Sequence, residues 1–233
     1  MKEPDEFLSA YTRAELFVRR HNRAVLVGIV VVLAAALAVT GVRRYREARA
    51  ARAASAYSAV LATLNDAGGN DEGKKENAGE VWEAAAQKLR TLSAMYSSLP
   101  MATLARFSLA SLEVERGNYE QGAEIYRALA QDLKPGEHPL WELAQLGEAN
   151  ALHAQKRYDA AVDSYRRILE QAGARAKGEA LLGIARCYEQ MNNLQAALKS
   201  YSELNEAYPD AAAGMDLSLK IESLKVRLKG SQG

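Results

Sequence analysis

The residues best suited to hold a metal or attack a substrate are three histidines, His21, His138 and His153, and one cysteine, Cys187. The histidines lie apart, with no HExxH segment and no cysteine pair beside them, so a zinc or metalloprotease site has no ligand set. A single cysteine excludes an intramolecular disulfide and a CxxC motif. Placed between Arg186 and Tyr188 in a helical stretch, its thiol reads as a small packing group. No GxxxxGK[ST], GxGxxG or GxSxG segment occurs, which removes the phosphate loop, the dinucleotide turn and the hydrolase elbow. The chain is therefore expected to have no catalytic centre, metal or cofactor, and its chemistry should be that of binding.

The elements that would present a binding surface begin with an abrupt change of solvent. Residues 24–42 carry no charge, and nineteen residues at about 1.5 Å each match a hydrocarbon core of roughly 30 Å. This segment is expected to span a membrane, after a tail over residues 1–23. Ala36-Leu37-Ala38 has the form of a cleavage site, but the apolar run continues past it to Val42, longer than a signal peptide needs, so retention as an anchor is favoured. Asp5 to Val18 could form a short interfacial helix or a loose tail. Four arginines (Arg13, Arg19, Arg20, Arg23) precede the span and five (Arg43, Arg44, Arg46, Arg49, Arg52) follow it. That near-balance leaves the orientation open.

The rest is a polar chain with few aromatics, five prolines and abundant Ala, Leu, Glu and Arg, which suits an all-α fold. From Ala53 onward there are 20 Lys plus Arg against 24 Asp plus Glu, so a basic nucleic-acid surface is not expected. Residues 43–64 lack Gly and Pro and should continue the span as one helix. The Gly- and Asn-rich run over residues 65–80 should be a flexible loop. Residues 81–230 then read as helices separated by short breaks.

Three helix pairs repeat one another. Arg116-Gly117-Asn118-Tyr119, Gln155-Lys156-Arg157-Tyr158 and Met191-Asn192-Asn193-Leu194 are each followed seven residues later by Tyr126, Tyr165 or Tyr201, with Gly122, Ala161 or Ala197 one turn before that tyrosine. These tyrosines, with Tyr119 and Tyr158, are expected in the core. The pattern resembles the tetratricopeptide repeat. The last copy fits best, through Leu181, Ile184, Ala185, Tyr188, Ala197, Tyr201, Leu204 and Pro209. The first has Gly122 where that motif usually has Ala, and the middle one has Glu148 where an apolar residue is expected. Leu217, Ile221, Leu224 and Leu228 form the stripe of a closing helix.

That resemblance implies a fold in which one N-terminal transmembrane helix leads into a tetratricopeptide-like solenoid with a C-terminal capping helix. In that family the first helix of each pair lines the concave face. The matching positions here are Phe107, Ser111, Val114 and Glu115 in the first pair, Leu146, Asn150 and His153 in the second, and Leu182, Arg186 and Glu189 in the third. Their mixed character suits an extended peptide or a helix.

The whole layout, an arginine-bearing tail, one span, a continuous helix with Tyr45 and Ala54-Ser55-x-Tyr57, then about three repeat pairs, resembles the YfgM-like ancillary subunits of the SecYEG translocon. The resemblance implies a bacterial inner-membrane protein with periplasmic repeats that links the translocon to periplasmic chaperones, folding factors or secreted chains. Two other readings stay open at this stage: a scaffold subunit of a different envelope complex, and a cytoplasm-facing adaptor.

Overall fold

The computed structural model describes residues 21–67, 78–212 and 216–230. These hold ten helices and no strand. The segment from Asp5 to Val18 and residues 68–77 of the expected loop lie outside the described residues. The chain divides into two compact units, Met1–Arg52 and Ala53–Gly233.

In the first unit the described residues after His21 belong to helix α1, which runs from Asn22 to Ala67 and so crosses into the second. Every side chain described from Leu26 to Val42 is exposed, including Leu26 at 61%, Val31 at 59% and Leu37 at 74%. The most apolar stretch has a mean hydropathy of 2.3, and α1 alone among the described helices is long and apolar enough to cross a membrane. Within it the Thr40 hydroxyl donates to the Ala36 carbonyl one turn earlier, at 2.7 Å.

In the second unit α1 continues to Ala67 and α2 occupies Ala78–Met95, so the boundaries expected at Leu64 and Val81 each move by three residues. The following helices are α3 (Pro100–Glu115), α4 (Tyr119–Asp132), α5 (Pro139–Ala154), α6 (Tyr158–Gln171), α7 (Ala174–Gln190), α8 (Leu194–Ala207), α9 (Pro209–Ala212) and α10 (Leu217–Gly230). Pro100 and Pro139 sit at the first turns of α3 and α5, where the missing N–H costs nothing and the fixed φ is already helical.

The turns inside the three repeated pairs are the same motif built from different residues. Gly117, Lys156 and Asn192 occupy equivalent positions and all take left-handed φ, +83°, +61° and +57°. The next residue then donates back across six residues, Asn118 to Glu113, Arg157 to Leu152 and Asn193 to Tyr188, at 2.8–3.0 Å. These are Schellman caps, which satisfy the last carbonyls of α3, α5 and α7. Only the first copy uses glycine. Lys156 holds a conformation that costs an L-residue about 1–2 kcal/mol, so Lys156→Gly should raise the urea midpoint slightly, the gain being partly offset by the greater freedom of glycine in the unfolded chain.

From α2 to α9 each helix packs on the next, α10 packs on α8, and α3, α5 and α7 also pack side by side as one layer. The core is continuous along the stack. Val60, Leu89, Leu92, Ala105, Leu109 and Leu112 join α1 to α2 and α3. Tyr126, Leu129 and Trp141 lie between α4 and α5. Leu152, Val162, Tyr165, Ile168, Ile184 and Cys187 fill the α5–α7 layer. At the end Leu217 and Leu224 of α10 are buried against Tyr201 and Leu204, with Ile221 half-buried beside them. Tyr119 and Tyr158 are half-buried, whereas Tyr126, Tyr165 and Tyr201 are fully inside.

Two buried carboxylates tie neighbouring pairs together. Glu113 accepts from Arg90 at 2.5 Å, Arg116 at 3.2 Å and Asn118 at 2.8 Å. Glu148, the misfit in the middle repeat, is 2% exposed. It accepts from Arg127 at 2.9 Å, from Arg167 at 3.2 and 3.3 Å, and from Ser164 at 3.4 Å.

Candidate functional site

The repeat tyrosines organise the face of the α3–α5–α7 layer. Their rings fill the space left by glycines of the next pair: a Cβ on Gly147 would meet the Tyr126 ring at 2.6 Å, and one on Gly183 would meet the Tyr165 ring closer still. Gly122 has a different reason, since a Cβ there would meet Val114 Cγ2 at 2.5 Å and the Ala110 carbonyl at 3.1 Å. That contact explains why the first copy departs from alanine.

The tyrosine hydroxyls reach back across their own pair to the first helix. Tyr126 shares a 2.6 Å hydrogen bond with Ser111, and Tyr165 donates to Asn150 at 2.5 Å. The third position in this register is Arg186, which has no acceptor atom. Tyr201 donates instead to Glu189 at 2.8 Å, one turn further along α7. Lys220 Nζ of α10 also meets Glu189, at 2.9 Å, so this carboxylate is engaged in closing the stack.

A groove of about 920 Å³ opens between α5, α7 and the α8–α9 junction. Of the ten positions singled out on the concave face, Leu146, Asn150, His153, Leu182 and Arg186 line it. Phe107, Ser111, Val114, Glu115 and Glu189 are not among its walls. Phe107 stands edge-on to Tyr126 with ring centroids 5.4 Å apart, Ser111 and Glu189 hold tyrosine hydroxyls, Val114 is wedged against Gly122, and Glu115 is exposed.

The other walls were not among the expected residues. Arg175 and Glu179 continue the Leu182–Arg186 face of α7 at spacings of four and three residues, a signal that extending the stripe by two turns would have found. Tyr208, Asp210 and Ala211 come from beyond the last repeat helix, and no periodicity points to them.

Electrostatics divides the groove. At its mouth Arg175 pairs with Glu179 at 3.4 Å. His153 stacks edge-on against Tyr158 at 5.4 Å, and its Nε2 is buried with no hydrogen-bond partner among the described residues. Burial first, and the nearby Arg186 charge second, pull its pKa below the ordinary histidine value. The imidazole is therefore neutral at pH 7. Burial likewise pushes up the Tyr165 and Tyr201 hydroxyls, while the Arg186 charge opposes the rise in both.

Cys187 lies behind this face, fully buried. Burial, and then the Asp159 charge, push its thiol up to about 11. Thiolate is the reactive form, so maleimide should label the folded protein far more slowly than the urea-unfolded chain; equal rates would show the thiol to be accessible. The folded pKa exceeds the ordinary value of 9.0. The contribution to stability is thus complete below about pH 9 and lost as the pH rises towards 11. Tyr165 and Tyr201 act in the same sense at higher pH, so the urea midpoint should fall on going from pH 8 to pH 11.

The sequence model of a family described as "Tetratricopeptide repeat-like domain" matches residues 16–226. No curated protein matches the chain. A solved structure titled "MamA D159K mutant 2" is similar at 22% identity and a TM-score of 0.47, over 76% of this chain and 96% of that one.

Proposed function

Because this chain belongs to the tetratricopeptide repeat-like domain family, a fold of protein–protein interaction modules, we propose that it is a membrane-anchored binding protein that receives or hands on secreted chains beside the Sec translocon. The observation that carries this reading is the pairing, in one chain, of an α1 segment exposed and apolar on every side with a groove of about 920 Å³ whose walls mix Leu146 and Leu182 with Asn150, His153 and Arg186. A large unpartnered apolar surface belongs in a bilayer or an interface. A mixed groove suits a polypeptide held by backbone and side chains together. Tethering raises the local concentration of the groove at an exit site, so modest intrinsic affinity is enough. No bond is made or broken. The resemblance to the YfgM-like translocon subunits supports the periplasmic side of a bacterial inner membrane, with translocon subunits, periplasmic chaperones or folding factors as partners.

Topology is the first test. A reporter active only outside the cytoplasm, fused after Gly233, should be active while the protein stays in the membrane fraction, and a cytoplasm-active counterpart should be silent. Photocrosslinking from His153 or Arg186 should then capture a translocon component, a periplasmic folding factor or a secreted chain in transit. Cytoplasmic activity of the fusion would sink the translocon reading and favour a cytoplasm-facing adaptor. A single permanent stoichiometric crosslink to another envelope protein would favour a scaffold subunit.

A further inference from the structure

We propose that the arginines immediately after the apolar run of α1 form a collar that gathers anionic phospholipids, with guanidiniums seated on the headgroup phosphates. This rests on the reading of α1 as a membrane anchor and names the lipid that anchor prefers.

The choice of residue type is the first sign. Residues 13–52 hold nine arginines and no lysine. An ammonium would supply the same charge, but only a guanidinium offers a planar fork of donors that matches two phosphate oxygens. Five of the nine, Arg43, Arg44, Arg46, Arg49 and Arg52, fall within ten residues after Val42, and five arginines against the single acid Glu47 leave this stretch a net charge of +4. Arg43, Arg44, Arg46 and Arg52 are exposed and form no hydrogen bond or ion pair among the described residues. Glu47 stands one turn from Arg43 and Arg44 on the same helix yet pairs with neither. Arg49 is half-buried and already engaged.

Helix geometry fixes where these charges stand. α1 continues unbroken through Val42, so a rise of about 1.5 Å per residue puts Arg43, Arg44 and Arg46 roughly 2–6 Å beyond the apolar run and Arg52 about 15 Å beyond it. A headgroup layer is about 5–8 Å deep. The first three arginines therefore lie within it and Arg52 stands outside. At about 100° per residue, Arg44 points about 100° to one side of Arg43 and Arg46 about 60° to the other, so the three meet separate lipids. Tyr45, 66% exposed among them, is the kind of amphipathic ring that settles at headgroup level. A zwitterionic headgroup brings its own cation, which repels a guanidinium and competes for the phosphate, whereas an anionic one does not. Each arginine held near an anionic surface is worth about a fivefold preference.

The test uses the full chain carrying Ala48→Cys, an exposed position in the same stretch, labelled with a donor fluorophore. Cys187 is buried, so the folded protein takes the label at position 48. Reconstituted in phosphatidylcholine vesicles with about 20 mol% phosphatidylglycerol, the donor should transfer energy to a trace of acyl-labelled phosphatidylglycerol as if that lipid were enriched about fivefold over equally labelled phosphatidylcholine. Replacing Arg43, Arg44 and Arg46 together by glutamine should remove the enrichment, and replacing them by lysine should keep part of it. Arg52→Gln should leave it nearly unchanged. These side chains are exposed and unpaired, so the urea midpoint should not move.

Equal transfer to the two lipids, with the protein resisting alkaline extraction, would overturn the inference and leave the anchor standing. No transfer to either lipid, with release on extraction, would remove the anchor and the inference together. Enrichment that survives the triple glutamine variant would place the lipid elsewhere on the chain and overturn the collar. A loss with Arg52→Gln as large as with the triple variant would mean diffuse net charge instead of seated headgroups, and would overturn it too. Loss of the enrichment on adding millimolar glycerol phosphate would reassign the arginines to a soluble phosphate.

Discussion

Replacing Arg127 and Arg167 together by alanine should cost about 3–5 kcal/mol of folding stability. Both arginines are nearly half exposed, but the carboxylate they serve, Glu148, is 2% exposed. Removing both guanidiniums leaves a buried charge whose remaining partner is the Ser164 hydroxyl at 3.4 Å. Desolvation then has no counterweight. Either single variant should lose much less, since one arginine still reaches Glu148, and the double mutant should exceed the sum of the singles. The opposite change gives the contrast: Glu148→Leu, the kind of residue the repeat pattern calls for there, removes the charge along with its cost and should be near neutral. Urea unfolding followed by circular dichroism checks all four variants. A double mutant with the wild-type midpoint would mean that water reaches Glu148.

Gly183→Val should destabilise the fold by about 3 kcal/mol and disturb the groove at the same time. The Tyr165 ring stands where a Cβ would be, so any side chain must push the ring or separate α6 from α7, and overpacking of this kind costs about 1–3 kcal/mol before the poor helix propensity of a β-branched residue is added. Displacing the ring also breaks the Tyr165 bond to Asn150, which should weaken peptide binding through Asn150 even though position 183 carries no polar group. Tyr165→Leu should partly rescue Gly183→Val by vacating the space, giving a coupling of about 1 kcal/mol or more in a double-mutant cycle. Gly79→Ala is the control. Among the described residues nothing lies within 4 Å of a Cβ there, and alanine is the better helix former, so this change should stabilise by up to about 1 kcal/mol. If both glycine variants behaved alike, helix propensity and not ring packing would govern position 183.

The repeat pattern was legible because it is local. Tyrosine seven residues after each break, a small residue one turn earlier and proline at helix starts are all consequences of helix period and hairpin geometry within about twenty residues. The breaks at Gly117, Lys156 and Asn192 were legible too, although their shared left-handed φ was not, because lysine gives no sign of it. Glu148 showed how a misfit reads from either side. In the sequence it weakened a repeat, and in the structure it is the point where Arg127 of α4 and Arg167 of α6 meet. Those partners lie 21 and 19 residues away on helices whose relative placement no window contains.

What the sequence alone determined, then, is the class of the molecule: one long uncharged, apolar run and an all-helical remainder in repeated pairs. The family match to residues 16–226 agrees with the repeats. Only the tertiary structure decided which half of the concave positions is open. Phe107, Ser111, Val114 and Glu189 share the register of Leu182, Asn150, His153 and Arg186 or lie one turn from it, yet their side chains are taken up by Tyr126, Gly122, Tyr201 and Lys220. Arg186 stays available because a guanidinium cannot accept the bond its register offers. The difference is set by partners across a hairpin and on the next repeat, and a helical period encodes which face a residue occupies but not what stands opposite.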